Sequence, residues 1–352
     1  MPGGHLIGEG TYAQPDVSWW LNPCAEPEVS AMPYCDESLD SWERALDLSG
    51  RLNVTNYLHY WNSTQRGPLA YDGIRIPPMG MVEGIHGAVC GGVVPPSTTT
   101  TNFPIGVGMG SSFDRDLVRE IGLAVGTETR IKTNHFLKQG IYGGEVGLVA
   151  VAPQLNLARD PRWGRTAETF SECPFQAGEL GAAYVAGLRG DLYRRHYLII
   201  PAPKHFDVHG GPEDYNATVT RMNFNAVLSA RDWIATFQPQ WRAAAKAGSQ
   251  GCMCSYNAVN GMPTCANREL LTDLLQSWGI EHPITTSDCG SVSQIYSEHH
   301  YAQSLTEAAV MAINAGVDTL CDTAPLEEVR PCAIVPTSLP SLAFPSIESE
   351  AV

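Results

Sequence analysis

The sequence predicts an α/β fold, a (β/α)8-type barrel in which parallel strands alternate with helices. Apolar, strand-like runs alternate with segments of helical periodicity, and the sequence contains no internal repeat. Charged residues follow three of these runs, at 159–165, 204–206 and 287–290. A β/α barrel gathers its active site at the C-terminal ends of several strands, whereas an open doubly wound sheet binds at one crevice. The length of 352 residues suits one such barrel domain or two ordinary domains.

The elements of the first half can be placed in order. A helix begins at Asp40, where Glu43 can complete a capping box. Residues 62–80 are rich in proline and are predicted to be a loop. A second helix begins at Asp114, and the apolar run 146–151 is a predicted strand that leads to the arginine-rich segment. A further helix follows that segment.

The second half continues the alternation. A strand at 197–202 leads to the charged segment at 204–206. The next helix begins at Ser229 and carries an aromatic stripe at helical spacing, which predicts packing against the sheet; its members are Trp233, Phe237 and Trp241. The remaining predicted elements are helices from Asn267 and Ser304 and strands at 251–256, 283–287 and 317–320.

Composition divides the chain into three segments. Residues 1–36 are rich in proline, glycine and turn formers and are predicted to be irregular. Residues 37–324 carry the predicted barrel. Residues 325–352 combine proline and serine without periodicity, which predicts a disordered tail.

The charge balance restricts the class of partner. The net charge is −15, from 22 Lys+Arg against 37 Asp+Glu, and no basic patch is interleaved with aromatics. This balance argues against nucleic acid and anionic membrane surfaces and is compatible with a neutral ligand such as a sugar. No run reaches the roughly 18 apolar residues of a membrane span. The oligomeric state stays open.

Cysteines and sequons indicate a secretory route. The chain has ten cysteines, and sequons begin at Asn53, Asn62 and Asn216. The cysteines lack zinc-site spacing, so we predict disulfides; the expected pairs are Cys24–Cys35, Cys254–Cys265 and Cys289–Cys321. The first residues show no signal peptide. A missing N-terminal segment would reconcile these observations.

Four motifs carry a family resemblance: RDPRWGR at 159–165, KHF at 204–206, CSYNAVNG at 254–261 and SDCGSV at 287–292. In order and approximate spacing they resemble the N-terminal barrel domain of glycoside hydrolase family 3, over roughly residues 33–322. The stretches 204–213 and 224–233 are most similar to its β-xylosidase-like branch. The resemblance implies a retaining β-glycosidase that acts at the non-reducing end of an oligosaccharide, without metal or cofactor.

The same resemblance implies roles for individual residues. Asp288 matches the family's nucleophile, and an aspartate at a strand end can attack an anomeric carbon when nearby cations keep it ionised. Glu83 matches the carboxylate at the pocket floor. Positions that match residues holding sugar hydroxyls are Arg159, Lys204, His205, Arg221 and Tyr256. Glutamate at position 83, where many glucosidases have aspartate, favours a pentose.

Other interpretations of these residues stay open. The strand-end charges could be buried ion pairs, Asp288 could cap the following loop, and Glu83 could be a solvated carboxylate. The spacing of His205 and His209 would suit a metal on a helix, but Gly210 and the residues after it exclude a helix there. No metal site is expected. The segment 106–110 lacks the spacing and the preceding strand of a dinucleotide fingerprint and is predicted to be a turn. The sequence contains no phosphate loop, which excludes a nucleotide-dependent enzyme.

Two departures from the family affect the predicted activity. We expect the chain to lack the family's second α/β sandwich domain, which supplies the general acid in many members, and expect the tail to stand in place of the usual linker. We therefore expect a truncated form, for which a catalytically impaired sugar-binding fragment is the alternative. β-Glucosides and α-L-arabinofuranosides are alternative substrates. For a glycosidase barrel we expect five side chains to converge at its C-terminal mouth: Glu83, Arg159, Lys204, His205 and Asp288.

Overall fold

A computed structural model describes residues 17–61, 65–89, 99–190, 196–211 and 218–321, which form a mixed α/β structure. Three predicted features lie outside the described residues: the tail from residue 325 and the sequons at Asn62 and Asn216. Among the described helices, none is both long enough and apolar enough to cross a bilayer.

The helices begin largely where capping residues predict. Asp40 and Glu43 form the expected capping box, Asp114 caps the longest helix, and the Ser229 and Ser304 side chains each accept from a backbone N–H of the first turn. A π-helical turn over Trp233–Phe237 joins α6 to α7, and another over Glu269–Leu274 leads into α8. The helices are α1 Ser41–Gly50, α2 Val54–Trp61, α3 Gly106–Gly110, α4 Arg115–Leu137, α5 Pro174–Arg189, α6 Ala230–Asp232, α7 Pro239–Lys246, α8 Leu275–Ser277, α9 Ser291–Ser297 and α10 Leu305–Ala315.

The strands are short. They are β1 Gln65–Arg66, β2 Leu69–Tyr71, β3 Ile74–Ile76, β4 Met79–Val82, β5 Val149–Ala150, β6 Ile200–Pro201, β7 Lys204–Phe206, β8 Asn225–Ala226, β9 Gly251–Cys254, β10 Ala258–Val259, β11 Met262–Pro263 and β12 Ile284–Ser287. The first four correct the prediction of a loop over residues 62–80. Pro77 and Pro78 interrupt the pattern there, but they stand between β3 and β4 and not within a strand.

Parallel pairing follows the order of the chain. β4 pairs with β5 and β5 with β6, while β7 pairs with β9 and β9 with β12. Bridges join Gln154 to Lys204 and Thr286 to Thr319, also in parallel. Only residues 202–203 separate β6 from β7, so the two series are consecutive. The C-terminal ends of the paired strands therefore point in one direction.

Two glycines allow β4 and β5 to approach. A side chain at Gly80 would collide with the carbonyl oxygen of Val146, and one at Gly147 would collide with the carbonyl oxygen of Gly80. Any larger residue at either position must push the two strands apart. This contact lies at the start of the segment that leads to Glu83.

Helices α4 and α5 cover the parallel strands through one apolar core. The buried face of α4 includes Val118, Ile121 and Val125, and α5 contributes Leu180 and Tyr184. The aromatic stripe of the next helix is only partly in this core: Trp241 is buried at 4% exposure, whereas Trp233 and Phe237 are half-buried. Trp233 nevertheless packs against this core, as predicted, whereas Phe237 is not among the rings that pack against it. Phe237 instead lines a cleft beside the candidate site.

The three predicted disulfides are confirmed. Cys24–Cys35, Cys254–Cys265 and Cys289–Cys321 have Cα–Cα distances of 5.4, 5.3 and 4.3 Å. Among the described cysteines, Cys173 and Cys252 carry free thiols.

Candidate active site

The candidate residues follow the C-terminal ends of parallel strands. Lys204 and His205 lie on β7, while Glu83, Tyr256 and Asp288 come one or two residues after β4, β9 and β12. Since these strands are parallel, their ends meet at one edge of the structure. The parallel direction of the strands therefore brings these residues together at one edge.

Lys204 and Glu83 form an ion pair across this edge. Lys204 Nζ donates to Glu83 Oε1 at 2.7 Å and to Oε2 at 2.6 Å. The Lys204 side chain is 3% exposed, whereas that of Glu83 is 39% exposed. A buried ammonium needs an opposite charge to offset its lost hydration. The pair therefore fixes the ammonium group and leaves part of the carboxylate accessible to a ligand.

His205 links the β7 end to Asp288. Asn156 holds its backbone on both sides: Asn156 Nδ2 donates to the His205 carbonyl oxygen, and Asn156 Oδ1 accepts from the His205 N–H, each at 2.9 Å. The ring then places Nε2 3.4 Å from Asp288 Oδ2. The other carboxylate oxygen, Oδ1, accepts from the Cys289 N–H at 2.8 Å. The Asp288 carboxylate is thus held on one oxygen and faces the imidazole with the other.

The surroundings of Asp288 balance burial against positive charge. Burial raises the pKa of Asp288, whereas the charges of Lys204 and Arg165 and a hydrogen-bonding interaction with the Tyr256 hydroxyl lower it. Burial lowers the pKa of His205 well below its usual value, and Arg165 adds to this effect. The imidazole is therefore uncharged at neutral pH, and the two cations favour a charged Asp288. A carboxylate must carry its charge to act as a nucleophile.

Arg165 is a site residue that the sequence analysis did not select. Its charge acts on both Asp288 and Glu83. Glu168 holds the guanidinium through two hydrogen bonds, Nε to Oε1 at 2.6 Å and Nη2 to Oε2 at 2.8 Å. The sequence signal for Arg165 is the arginine-rich motif at 159–165, in which the family resemblance implies a role for Arg159. A bidentate partner makes Arg165 a fixed cation beside the two carboxylates.

Glu145 is a second residue that was missed. Its Oε2 accepts from the Glu83 N–H at 2.7 Å, which orients the segment that follows β4. Burial raises the pKa of Glu145, while the hydrogen bond from Glu83 lowers it. Its φ of 66° lies in the left-handed region, a strained conformation that is common near functional sites. No local sequence signal places residue 145 beside residue 83, because their contact exists only in the fold.

Tyr256 and Arg221 lie beside Asp288 and His205. Burial raises the pKa of Tyr256, and the charge of Asp288 raises it further. The guanidinium carbon of Arg221 lies 5.9 Å from the centroid of the Tyr256 ring. The charge of Arg221 also lowers the pKa of His205. Both residues therefore belong to the electrostatic surroundings of the candidate site.

Arg159 lines a neighbouring cleft. Its Nη2 donates to the carbonyl oxygens of Val208 and Gly210 at 3.2 Å each, and its guanidinium carbon lies 4.9 Å from the centroid of the Phe237 ring. Burial lowers its pKa. The cleft has a volume of about 670 Å³, and Trp163 and Phe237 are among its lining residues. The structure thus brings together Glu83, Lys204, His205, Tyr256 and Asp288, with Arg221 beside them and Arg159 in the adjoining cleft.

The raised pKa of Asp288 predicts a pH-dependent change in stability. Because the folded pKa exceeds the unfolded value of 3.8, the stability that Asp288 contributes is present below that value and is lost as the pH rises through the folded pKa. Asparagine does not ionise and avoids this loss. We expect the Tm of Asp288→Asn, relative to that of the unaltered protein, to increase as the pH rises above about 4.

Thermal unfolding across this pH range tests the expectation. Asp273→Asn serves as the control, since the Asp273 side chain is 55% exposed. The change with pH for Asp288→Asn should exceed the change for this exposed carboxylate. A Tm difference for Asp288→Asn that does not vary with pH would contradict a raised pKa at Asp288.

Comparison with known proteins identifies the family to which this chain is similar. The family model described as the glycosyl hydrolase family 3 N-terminal domain matches residues 72–331. The "Probable beta-D-xylosidase 6" of Arabidopsis thaliana is 34% identical over 336 residues, which cover 86% of this chain and 40% of that protein. The chain thus spans about two fifths of the length of this curated relative.

Solved structures show the same likeness. An exo-β-xylosidase in complex with a xylobiose aziridine activity-based probe aligns with a TM-score of 0.78 at 28% identity, covering 89% of this chain and 40% of that one. A β-glucosidase from Listeria innocua aligns with a TM-score of 0.58 at 29% identity, covering 74% and 32%. The family model covers well over half of the 352 residues. The chain therefore belongs to glycoside hydrolase family 3.

Proposed function

We propose that the protein is a retaining, exo-acting β-glycosidase of the β-xylosidase type, with Asp288 as its nucleophile. One observation carries the proposal: Asp288 is a buried carboxylate at the end of β12, and the cations Lys204 and Arg165 act on it. Its Oδ2 lies 3.4 Å from His205 Nε2. Such an arrangement keeps a charged nucleophile in a site that excludes water.

The proposed mechanism has two steps. In the first, a carboxylate oxygen of Asp288 attacks the anomeric carbon, and the glycosidic bond breaks with its electron pair leaving on the departing oxygen, which takes a proton from water. In the second, water attacks the same carbon, the bond to Asp288 breaks to release its carboxylate, and the proton that the water loses goes to solvent. The Lys204 ammonium and the accessible part of the Glu83 carboxylate supply a donor and an acceptor for sugar hydroxyls. Hydrogen bonds of this kind can strengthen in the transition state.

The proposed substrate is a xylose-terminated oligosaccharide. The Arabidopsis relative is named a β-xylosidase, and the exo-β-xylosidase structure carries a xylobiose-based probe. Glu83 supports a pentose, since its extra methylene relative to aspartate fills space near the position of a C6 hydroxymethyl group. β-Glucosides and α-L-arabinofuranosides are the alternative substrates.

A catalytically impaired sugar-binding fragment is the second candidate function. Within the described part of the chain, the Asp288 side chain interacts with His205, Tyr256 and Cys289, none of which carries a carboxyl group. A retaining mechanism uses a second carboxyl group about 5–5.5 Å from the first. Sugar binding needs only the hydroxyl-binding residues, so it would persist without that group.

We infer that the parallel strands close into a (β/α)8-type barrel that spans residues 37–324. The series from β4 to β12 continues through the bridge of Thr286 to Thr319, and the Leu320 N–H donates to the Trp61 carbonyl oxygen at 2.7 Å. Strand β1, soon after Trp61, pairs with β4. These contacts support a connection between the last and first strands of the series.

We also infer that the protein matures in the secretory pathway. Three disulfides connect described cysteines, and disulfides persist in oxidising compartments. The sequon residue Asn53 is exposed at the start of α2, where its Oδ1 accepts from the Asn56 N–H at 3.0 Å. A glycan on its amide nitrogen would extend into solvent.

A mechanism-based inhibitor tests the proposed function. We expect dinitrophenyl 2-deoxy-2-fluoro-β-xyloside to label Asp288 covalently, because the fluorine slows both steps while the good leaving group keeps the first fast enough for the glycosyl-enzyme to accumulate. Mass spectrometry of the digested protein should locate the sugar on the peptide that contains Asp288, and Asp288→Asn should stay unlabelled. Binding of xylose without any labelling would favour the sugar-binding fragment. Faster labelling by the matched fluoroglucoside would identify a glucosidase.

A further inference from the structure

His209 is a buried histidine enclosed by residues of the proposed site. Its side chain is 1% exposed, and its ring centroid lies 4.9 Å from that of His205 and 5.8 Å from that of Tyr256. On another side it meets the Trp163 ring edge-to-face, at 5.5 Å between centroids and 82° between planes. His209 therefore lies between the nucleophile's neighbours and the cleft that Trp163 lines. The proposed mechanism assigns it no role.

The tautomer of His209 follows from its contacts with Asn257. Asn257 Nδ2 donates to the carbonyl oxygens of Asp207 and Ala258, at 3.2 Å each, which fixes the orientation of the amide. Asn257 Oδ1 consequently faces His209 Nδ1, at 3.3 Å. An amide oxygen only accepts, so Nδ1 must carry the proton. Burial, together with the charge of Arg165, lowers the pKa of His209 to about 3, and the ring is neutral. Nε2 is therefore an unprotonated acceptor.

Within the described part of the chain, no hydrogen-bond donor reaches His209 Nε2. Among the described residues, His209 Nε2 and Trp163 Nε1 are both buried polar atoms without a hydrogen-bond partner. One is an acceptor and the other a donor, and they belong to rings in direct contact. Unpaired buried polar groups destabilise a protein and in native structures indicate a missing partner. A hydroxyl group both donates and accepts, so a single hydroxyl has the chemistry to satisfy both atoms.

We propose that His209 is a further sugar-binding residue: its Nε2 accepts a hydrogen bond from a hydroxyl group of the bound sugar, whose oxygen in turn accepts from Trp163 Nε1. The proposal rests on the proposed glycosidase function and adds a specificity determinant to it. A site built to bind a hydroxyl rejects an analogue that lacks it, because the buried partners are left unpaired. His209 would therefore make the protein select for one particular hydroxyl of the sugar.

The variant His209→Phe removes both ring nitrogens and keeps an aromatic ring in the same space. Labelling of Asp288 by the fluoroxyloside gives its kinact/KI, which we expect to fall roughly tenfold in His209→Phe and in Trp163→Phe, the loss typical of one hydrogen bond. His282→Phe is the matched control, since His282 is exposed and stacks on Trp42. We expect the control to label at the rate of the unaltered protein.

Deoxygenated inhibitors separate binding from packing. Fluoroxylosides that lack the hydroxyl at C3 or at C4 should label the unaltered protein more slowly. For one of these analogues, we expect the penalty to disappear in His209→Phe, because the variant no longer recognises that hydroxyl. A residue that only packs against His205 would slow every inhibitor by the same factor.

The outcomes separate the role of His209 from the glycosidase function. Labelling of Asp288 at an unchanged rate in His209→Phe, or identical penalties for each analogue in both proteins, would overturn the role of His209 and leave the glycosidase function intact. Absence of labelling in the unaltered protein would overturn the glycosidase function and this inference with it.

Discussion

Replacing Asp288 with alanine is expected to lower the rate of aryl β-xyloside hydrolysis by roughly 10⁴-fold or more, the scale seen when an enzyme nucleophile is removed. The carboxylate would form the bond to the anomeric carbon, and none of its contacts in the described structure supplies a replacement group. Steady-state release of the phenol measures the effect. A loss of less than about tenfold would show that Asp288 is not the nucleophile.

Azide provides the matched control for this variant. The space left by the carboxylate can admit a small anion. Lys204 and Arg165 would attract this anion, because their positive charges already favour a charged Asp288. Azide would then attack the anomeric carbon from the face that Asp288 occupied and displace the phenol. We expect a glycosyl azide of inverted configuration and partial recovery of phenol release. Failure of azide to restore any rate, with the fold intact, would argue against a nucleophilic role.

The second large effect concerns the leaving group. We expect the 352-residue chain to hydrolyse xylobiose about 10²–10⁴-fold more slowly than general acid catalysis would allow, because the described site carboxylates Glu83 and Glu168 are held in ion pairs by Lys204 and Arg165. An aryl xyloside with an acidic phenol needs little protonation and should still react. Rates for a series of aryl xylosides should therefore fall steeply as the pKa of the phenol rises.

Two comparisons make this prediction decisive. The ratio of the xylobiose rate to the dinitrophenyl xyloside rate measures the missing proton transfer, and Asp288→Asn provides the background rate for both substrates. Brisk turnover of xylobiose together with a flat dependence on phenol pKa would show that a general acid lies within this chain.

The sequence predicts much of the site because strand-end residues are local features. Lys204, His205 and Asp288 each follow an apolar run, and parallel pairing alone brings such ends together. The disulfide partners Cys254 and Cys265 were also predicted and are confirmed. Short strands were the difficulty, since β4 has four residues and a glycine and stands next to two prolines.

Tertiary contacts explain what sequence reasoning missed. Glu145 contacts Glu83 from 62 positions away, and only the approach of β4 to β5 produces that contact. Trp233 packs against the core, and from the π-helical turn its Nε1 also donates to Asp207 Oδ2 at 2.6 Å. A periodicity argument assumes a regular helix, so it could not have found this partner.

The Asp288 loop is held by half-cystines on both sides. The Asp288 N–H donates to the carbonyl oxygen of Cys254 at 3.1 Å, and Asp288 Oδ1 accepts from Cys289. Each of these cysteines is bonded to a partner in another segment, Cys265 or Cys321. The orientation of the Asp288 carboxylate therefore depends on disulfide formation during biosynthesis. In protein made in a reducing cytosol, the same loop would lack both disulfide links. Each measured rate should therefore be reported together with the number of free thiols in that preparation.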